Sequence, residues 1–194
     1  MTGGSTAAAD AYRRLYRGPW RIDVTRRAGV PALVAIAALA RAVSSALDAA
    51  GALRPASIGL ILSDDDELAR LNAEFMGAVG PTDVLSFPLL PPEAFPPHDG
   101  GAAVPHASRA PRPAFALPPG ARIHLGDVVV SVARAIEQAQ SGRGGHAGDV
   151  RWSPPEELLL LVTHGVLHVC GWDHADPVEE VAMRALERRL LGGA

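Results

Sequence analysis

Lysine does not occur in this 194-residue chain, and all 18 basic side chains are arginines. That usage, in an alanine-rich sequence, reads as codon bias and says little about chemistry. Cysteine occurs once, at Cys170, which excludes an intramolecular disulfide framework and fits a reducing compartment. Long hydrophobic runs are lacking as well. The longest, residues 30–40, is closed by Arg41 and falls short of the ~20 residues that a membrane span needs. The opening MTGGSTAAADAYRRLYRG holds no apolar stretch of the kind a secretory signal carries. Neither sign of charge dominates: 18 basic against 21 acidic side chains give a net charge of −3, so bulk charge does not mark a nucleic-acid binder. These absences together predict a soluble cytosolic protein.

What is present suits one ordinary globular domain, with 48% hydrophobic and 20% charged residues. Residues 1–19 show no sustained period and read as a mobile arm. Residues 20–25 (WRIDVT) alternate as a first strand does. Pro31 suits a first helical turn, followed by Leu33, Ile36, Ala40, Val43 and Leu47 at helical spacing, with Gly51 as a stop. Residues 57–62 (SIGLIL) form a second strand. Ser63 and Asp66 resemble a capping box for a helix over 64–74, and the acidic run from Asp64 to Glu67 reads as a complement to that helix's dipole rather than as a metal site. Residues 84–87 and 123–131 supply two more strands, with a helix over 132–140 after the latter. Between them lies a Pro-rich insertion, 89–121, which reads as a long loop or a disordered segment. SGRGGHAGD is a further link. Pro154 and Pro155 precede an apolar helix over 156–170, and Asp176-Pro177 opens a last one. The interleaving predicts a small α/β-type or α+β layer around one sheet.

The chemistry sits in HGVLHVCGWDH, residues 164–174. His164 and His168 are four apart, so on a helix they lie about 40° apart on one face. Gly171 lets the chain turn sharply, and the turn can return His174 as a third nitrogen donor. Three neutral imidazoles suit Zn²⁺, and three protein ligands with an open fourth position are the catalytic pattern. Cys170 lies about 200° round the helix from His168 and reads as a small core residue. His98, His106, His124 and His146 are solitary. The spacing is also similar to the metzincin peptidases, H-E-x-x-H-x-x-G-x-x-H, but Gly165 stands where those enzymes carry a general-base Glu, which argues against a protease.

HGVLHVCGWDH resembles the signature of the YbeY family, bacterial zinc endoribonucleases of ribosomal RNA maturation and ribosome quality control. LNAEFMGAVGPTDVLSFP (residues 71–88) and HLGDVVVS (residues 124–131) are similar to two further family segments, in the same order. The resemblance covers residues 20–191 and implies a single α+β domain: a four-stranded mixed sheet with packed helices and a zincin-like metal helix lining a cleft. It implies one Zn²⁺ per chain on His164, His168 and His174, rRNA and the ribosome as partners rather than DNA or a membrane, and a cytoplasmic location. Two departures stand out. The insertion is longer than the family's usual connection, and Met76 occupies the place of a family Arg thought to contact RNA or assist cleavage. Met cannot donate to a phosphate, so that role is lost or passes to another arginine.

Two carboxylates are candidate catalytic residues. Asp173 either orients a ligand or acts on water at the metal, or simply forms the turn. Asp127 either orients a ligand from within its strand or bends that strand. Thr82, Asp83 and Ser86 shape the cleft or cap a turn, and Trp172 stacks a base or packs beside the ligand turn. RNA would meet local arginines, among them Arg13, Arg14, Arg17, Arg21, Arg26, Arg27, Arg109, Arg112 and Arg122. The leading expectation is a zinc-dependent, single-strand-specific endoribonuclease, and the alternative a non-catalytic ribosome-assembly factor with a structural zinc. A metallopeptidase is disfavoured by Gly165.

Overall fold

Alternation along WRIDVT becomes a strand with one dry face. The computed structural model describes residues 9–98, 118, 121–142 and 152–192. β1 (Ala11–Arg17) and β2 (Trp20–Arg26) form an antiparallel hairpin in which Trp20, Ile22 and Val24 are buried while Arg21, Asp23 and Thr25 take the other side. β3 (Ala56–Ser63) is apolar and buried along nearly all its length, and β5 (Ile123–Ser131) becomes so from Val128 onward, as strands buried on both faces must be. They occupy the middle of the sheet, β2, β3 and β5 running parallel and β4 (Val84–Pro88) closing the far edge antiparallel to β5. The order is β1-β2-β3-β5-β4.

One face of this sheet is covered by α1 (Ile36–Ala49) and α4 (Pro154–Val169), with α3 (Val132–Gln140) against α4. The helical spacing seen in sequence becomes the buried stripe Leu39, Ala40, Val43, Ala46 and Leu47 of α1, which packs on β1, β2 and α4 and shares one core with Ile58, Leu60, Leu62, Leu125 and Val128 of the sheet. α5 (Pro177–Leu190) follows, opened by Asp176, whose carboxylate accepts from the backbone N–H of Val178 and Glu179. On the opposite face α2 (Asp65–Leu71) covers only the β4–β5 side, where Leu68 packs on Leu85 and Val129. Tyr12, Arg14 and Tyr16 project from that same face at its other end.

Several expectations are corrected. The sheet has five strands, not four, because residues 11–17 of the expected arm add a strand; residues 1–8 lie outside the described set. That strand was hidden because Leu15 is its one inward apolar residue, so backbone pairing at an edge holds it rather than a hydrophobic period. α1 begins at Ile36, since Gly29 (φ +81°) and Pro31 belong to a turn that buries Val30. The helix expected over 64–74 is α2 followed by a π-helical turn, Asn72–Met76, closed by Gly77 at φ +66°. Its cap is Asp64, accepting from Glu67 N at 3.0 Å, while Ser63 donates to the Glu67 carboxylate. The acidic run is structural, as expected: Asp65 binds Ser131 Oγ and Arg134, and Glu67 pairs with Arg27. Of the Pro-rich insertion, residues 89–98 are described and pass the exits of α4 and α1, Pro92 facing Gly171 and Pro96 facing Gly51, with Phe95 buried in the core. Its His106, Arg109 and Arg112, like most of the SGRGGHAGD link, lie outside the described residues. Among the described residues no helix is long and apolar enough to cross a membrane.

Candidate metal centre

α4 carries two of the three histidines and is held firmly at its start. Ser153 and Glu156 form a reciprocal capping box, and Pro154 occupies the first helical turn, where its missing N–H costs nothing. After Val169 the chain leaves the helix through Gly171 at φ +85°. A side chain there would be strained by that φ and would press on Pro92, its Cβ falling 3.0 Å from the Pro92 Cα. The turn is further fixed by Asp173, whose carboxylate accepts from His174 N, and by Glu179, which accepts from Asp173 N at 2.7 Å. His98, from the described start of the insertion, stacks on Trp172 (ring centroids 4.0 Å apart) and binds the same Glu179 oxygen at 2.6 Å.

The result brings His164, His168 and His174 together, one nitrogen of each lying within 4.8 Å of the others. His164 is 9% exposed, while His174 faces solvent. The hydrogen bonds fix the tautomers of the two helical rings. His164 Nδ1 lies 2.7 Å from Glu187 Oε1, and His168 Nδ1 lies 2.8 Å from the Trp172 carbonyl oxygen. Both partners are acceptors, so each Nδ1 carries the proton and each Nε2 presents a lone pair. Those two Nε2 atoms approach to 2.9 Å. Two bare lone pairs aimed at one another are repulsive unless they share a cation, so the donor set fits a metal ion.

Burial also keeps the rings ready to ligate. It lowers the affinity of His164 for a proton from the ordinary 6.5 to about 4, with the neighbouring His174 adding to the effect and Asp83 opposing it. His168 falls likewise to about 4, again chiefly through burial, with the other two rings adding to it. The metal-free protein should therefore lose stability on acidification. An unfolded histidine binds its proton near pH 6.5 and the folded one only near 4, so the penalty is absent above 6.5 and grows as pH falls toward 4. Urea midpoints of the metal-free chain are expected to be flat from pH 8 to 7. Below 6.5 the midpoints should fall as the unfolding free energy declines by up to about 1.4 kcal/mol per pH unit for each ring. A flat profile down to pH 4.5 would contradict the buried neutral rings.

Beside the histidines opens a cavity of about 270 Å³ lined by Asp83, His164, His174, Glu180, Arg184 and Glu187, with Met183 at its wall. The sequence profile of the family described as Endoribonuclease YbeY matches residues 28–193. The chain belongs to the YbeY family. Three relatives bear the name Endoribonuclease YbeY. The one from Salinispora tropica is 40% identical over 81% of this chain and 84% of its own. That from Thermobifida fusca is 38% identical over 89% and 92%, and that from Roseiflexus castenholzii 33% over 88% and 91%.

Within this YbeY chain the expected site residues fall into two groups. His164, His168 and His174 converge, and Asp83 reaches the cavity while also accepting from Gln138 Nε2 and Val84 N. Thr82 donates to Asp83, and Ser86 donates to the Gly165 carbonyl, so Ser86 ties β4 to α4 rather than lining the cavity. Asp127 is not brought to the site. Its neighbour Val128 faces α4, which places Asp127 on the opposite face of the sheet, over Gly59 and 3.2 Å from His124 Nε2. Asp173 is a turn-former: the acceptor at a ligand ring is Glu187 instead. Trp172 packs, and Cys170 is buried with its thiol pushed up to about 12 by that burial. Met76 is 53% exposed on the π turn and is not among the cavity residues, whereas Arg184 is. Glu187 and Arg184 went unnoticed in sequence. Their signal was an acidic residue on the buried stripe Met183, Leu186, Glu187 of an otherwise amphipathic helix.

Proposed function

We propose that this chain is a zinc-dependent endoribonuclease that cleaves single-stranded segments of ribosomal RNA during maturation and ribosome quality control in the cytoplasm. The observation that carries this reading is the pair of Nε2 atoms 2.9 Å apart, with both Nδ1 protons already committed, beside an open cavity. Zinc bonded at 2.0–2.1 Å in tetrahedral geometry separates its ligand atoms by roughly 3.3 Å, which a small ring rotation reaches. The arrangement of two histidines on a helix and a third beyond a Gly turn is zincin-like.

His164, His168 and His174 hold the ion, and Glu187 and the Trp172 carbonyl keep the helical rings in the tautomer that ligates. Bound there, zinc supplies a Lewis acid toward a phosphoryl oxygen and acidifies water toward neutrality. Arg184 holds the scissile phosphate, taking the role that Met76 cannot fill; its guanidinium is oriented by Glu180 at 2.6 Å. Asp83, which lines the same cavity, accepts the proton of the water that attacks the phosphorus and passes it to the ribose oxygen that departs.

The test is cleavage of a labelled single-stranded rRNA fragment by protein of measured zinc content. Chelation should abolish cleavage and stoichiometric zinc should restore it. Arg184→Ala should lower kcat/KM about 100-fold with zinc content unchanged. Undiminished cleavage by the stripped protein would overturn the reading. Ribosome association with no cleavage by the zinc-loaded chain would instead support a non-catalytic assembly factor with a structural zinc, the reading that Met76 favours.

A further inference from the structure

β1 and β2 precede residues 28–193, the stretch that the family profile matches, and nothing in the metal centre uses the hairpin they form. It is charged against the trend of the molecule. Residues 10–27 hold six arginines and two aspartates, a net charge of +4 in a chain whose total is −3. It also exposes two large aromatic rings where an edge strand ordinarily shows charged side chains or proline: Tyr12 is 47% and Tyr16 is 61% exposed.

Strand alternation places Tyr12, Arg14 and Tyr16 on one face, and the register sets Arg21 beside Tyr16 and Asp23 beside Arg14. Four residues of strand separate the two rings by about 13 Å. Asp23 anchors this face: it accepts from the Tyr12 hydroxyl at 2.6 Å and pairs with the Nε atoms of Arg14 at 2.7 Å and Arg21 at 3.0 Å. Arg122 lies over the Tyr16 ring at 5.6 Å, and Arg14 over Tyr12 at 5.9 Å. Flat π faces interleaved with guanidinium groups on an open sheet surface match one chemistry, alternating bases and phosphates with the bases unpaired.

We infer that the Tyr12–Arg14–Tyr16 face of the β1–β2 hairpin is a docking surface for single-stranded RNA, stacking one base on each tyrosine. This rests on the proposal that RNA is the substrate, and it adds where the strand is held away from the reacting phosphate. β1 and β4 are the two edges of the sheet, roughly 19 Å apart at ordinary strand spacing, and α4 packs on β4 and β5 on the face opposite to the two tyrosines, so a bound strand passes round the sheet to reach the metal centre. The hairpin therefore grips a part of the strand distant from the metal centre, and it favours long substrates over short ones.

Fluorescence anisotropy with a labelled oligouridylate of about 16 nucleotides tests it on the full chain stripped of metal, so that no cleavage enters. Tyr12→Leu and Tyr16→Leu, which keep an apolar strand residue, should each weaken binding about tenfold, while Tyr12→Phe and Tyr16→Phe keep it near wild type. Arg14→Gln should lower the slope of log K against log salt by about 0.7. Equal affinity of the wild type and the Tyr12→Leu/Tyr16→Leu double variant, with near-ultraviolet dichroism showing the fold intact, would overturn the proposal. So would displacement by duplex RNA as effective as by single strands. Because binding is read without metal or turnover, failure here is separate from failure of the nuclease reading.

Discussion

His168→Ala protein is expected to purify without stoichiometric zinc, and Glu187→Ala protein to bind zinc about 10- to 100-fold more weakly than wild type. The first follows from the site itself, since two ligands cannot hold what three converge upon. The second is the more informative. Glu187 lies on α5 and is 2% exposed, and it is not one of the three converging donors. It acts through His164, accepting the Nδ1 proton at 2.7 Å and so keeping Nε2 as the bare atom. Removing it frees the ring to turn and to exchange tautomers, and it takes away the negative charge that makes the imidazole a stronger donor. Glu187→Gln can still accept through its amide oxygen but lacks the charge, so its affinity should fall between the two. Chelator competition at pH 7.5 reads all three variants. Wild-type affinity in Glu187→Ala would show that the carboxylate only packs.

The contrast between Glu187 and the two aspartates singled out in sequence shows which parts of the site were legible. The three histidines fall within 11 residues, and their geometry is that of a single helix and its exit, so spacing alone places them. Asp173 shares that stretch, but its carboxylate is consumed by the backbone N–H of His174, a local bond that competes with any longer reach. Asp127 depends on parity. One residue away, Val128 packs against α4, and nothing in HLGDVVVS says which alternate set faces the helix until the helix is docked. Arg184 and Glu187 come from an element that folds back after the ligand turn, and Asp83 from before β4, so only tertiary packing gathers them. The fold divides similarly. β3, β5, α3 and α4 carry strong apolar patterns and emerge close to their expected bounds. β1 has a single inward apolar residue and gains its place from a ladder of backbone bonds with β2, which composition does not announce.

Substitution of Gly165 is expected to cost stability rather than to create a peptidase. In the peptidase pattern a glutamate follows the first histidine, and restoring it looks like a one-residue change of function. The packing forbids it. An added Cβ at Gly165 would lie 2.5 Å from Val128 Cγ1 and 2.9 Å from Val84 Cγ2, two branched side chains with little freedom to move away, and 3.3 Å from Ser86 Oγ. Alanine gains about 1 kcal/mol of helix propensity over glycine, yet overpacking of this kind costs about 1–3 kcal/mol and pushes α4 off the sheet. Gly165→Ala should therefore lower the unfolding free energy or leave it no better. Gly165→Glu adds a carboxylate aimed into β4 and β5 with no partner, and should lose more than about 4 kcal/mol. Urea unfolding reads the first effect, and casein hydrolysis by any folded Gly165→Glu protein reads the second. A stable variant that cleaves casein would mean that the residue after His164 turns toward the cavity, which the contacts with Val128 and Val84 deny. The same closeness explains why glycine serves this chain: it lets Ser86 donate to the Gly165 carbonyl at 2.9 Å, drawing the helix that bears His164 and His168 directly onto the strand that follows Asp83.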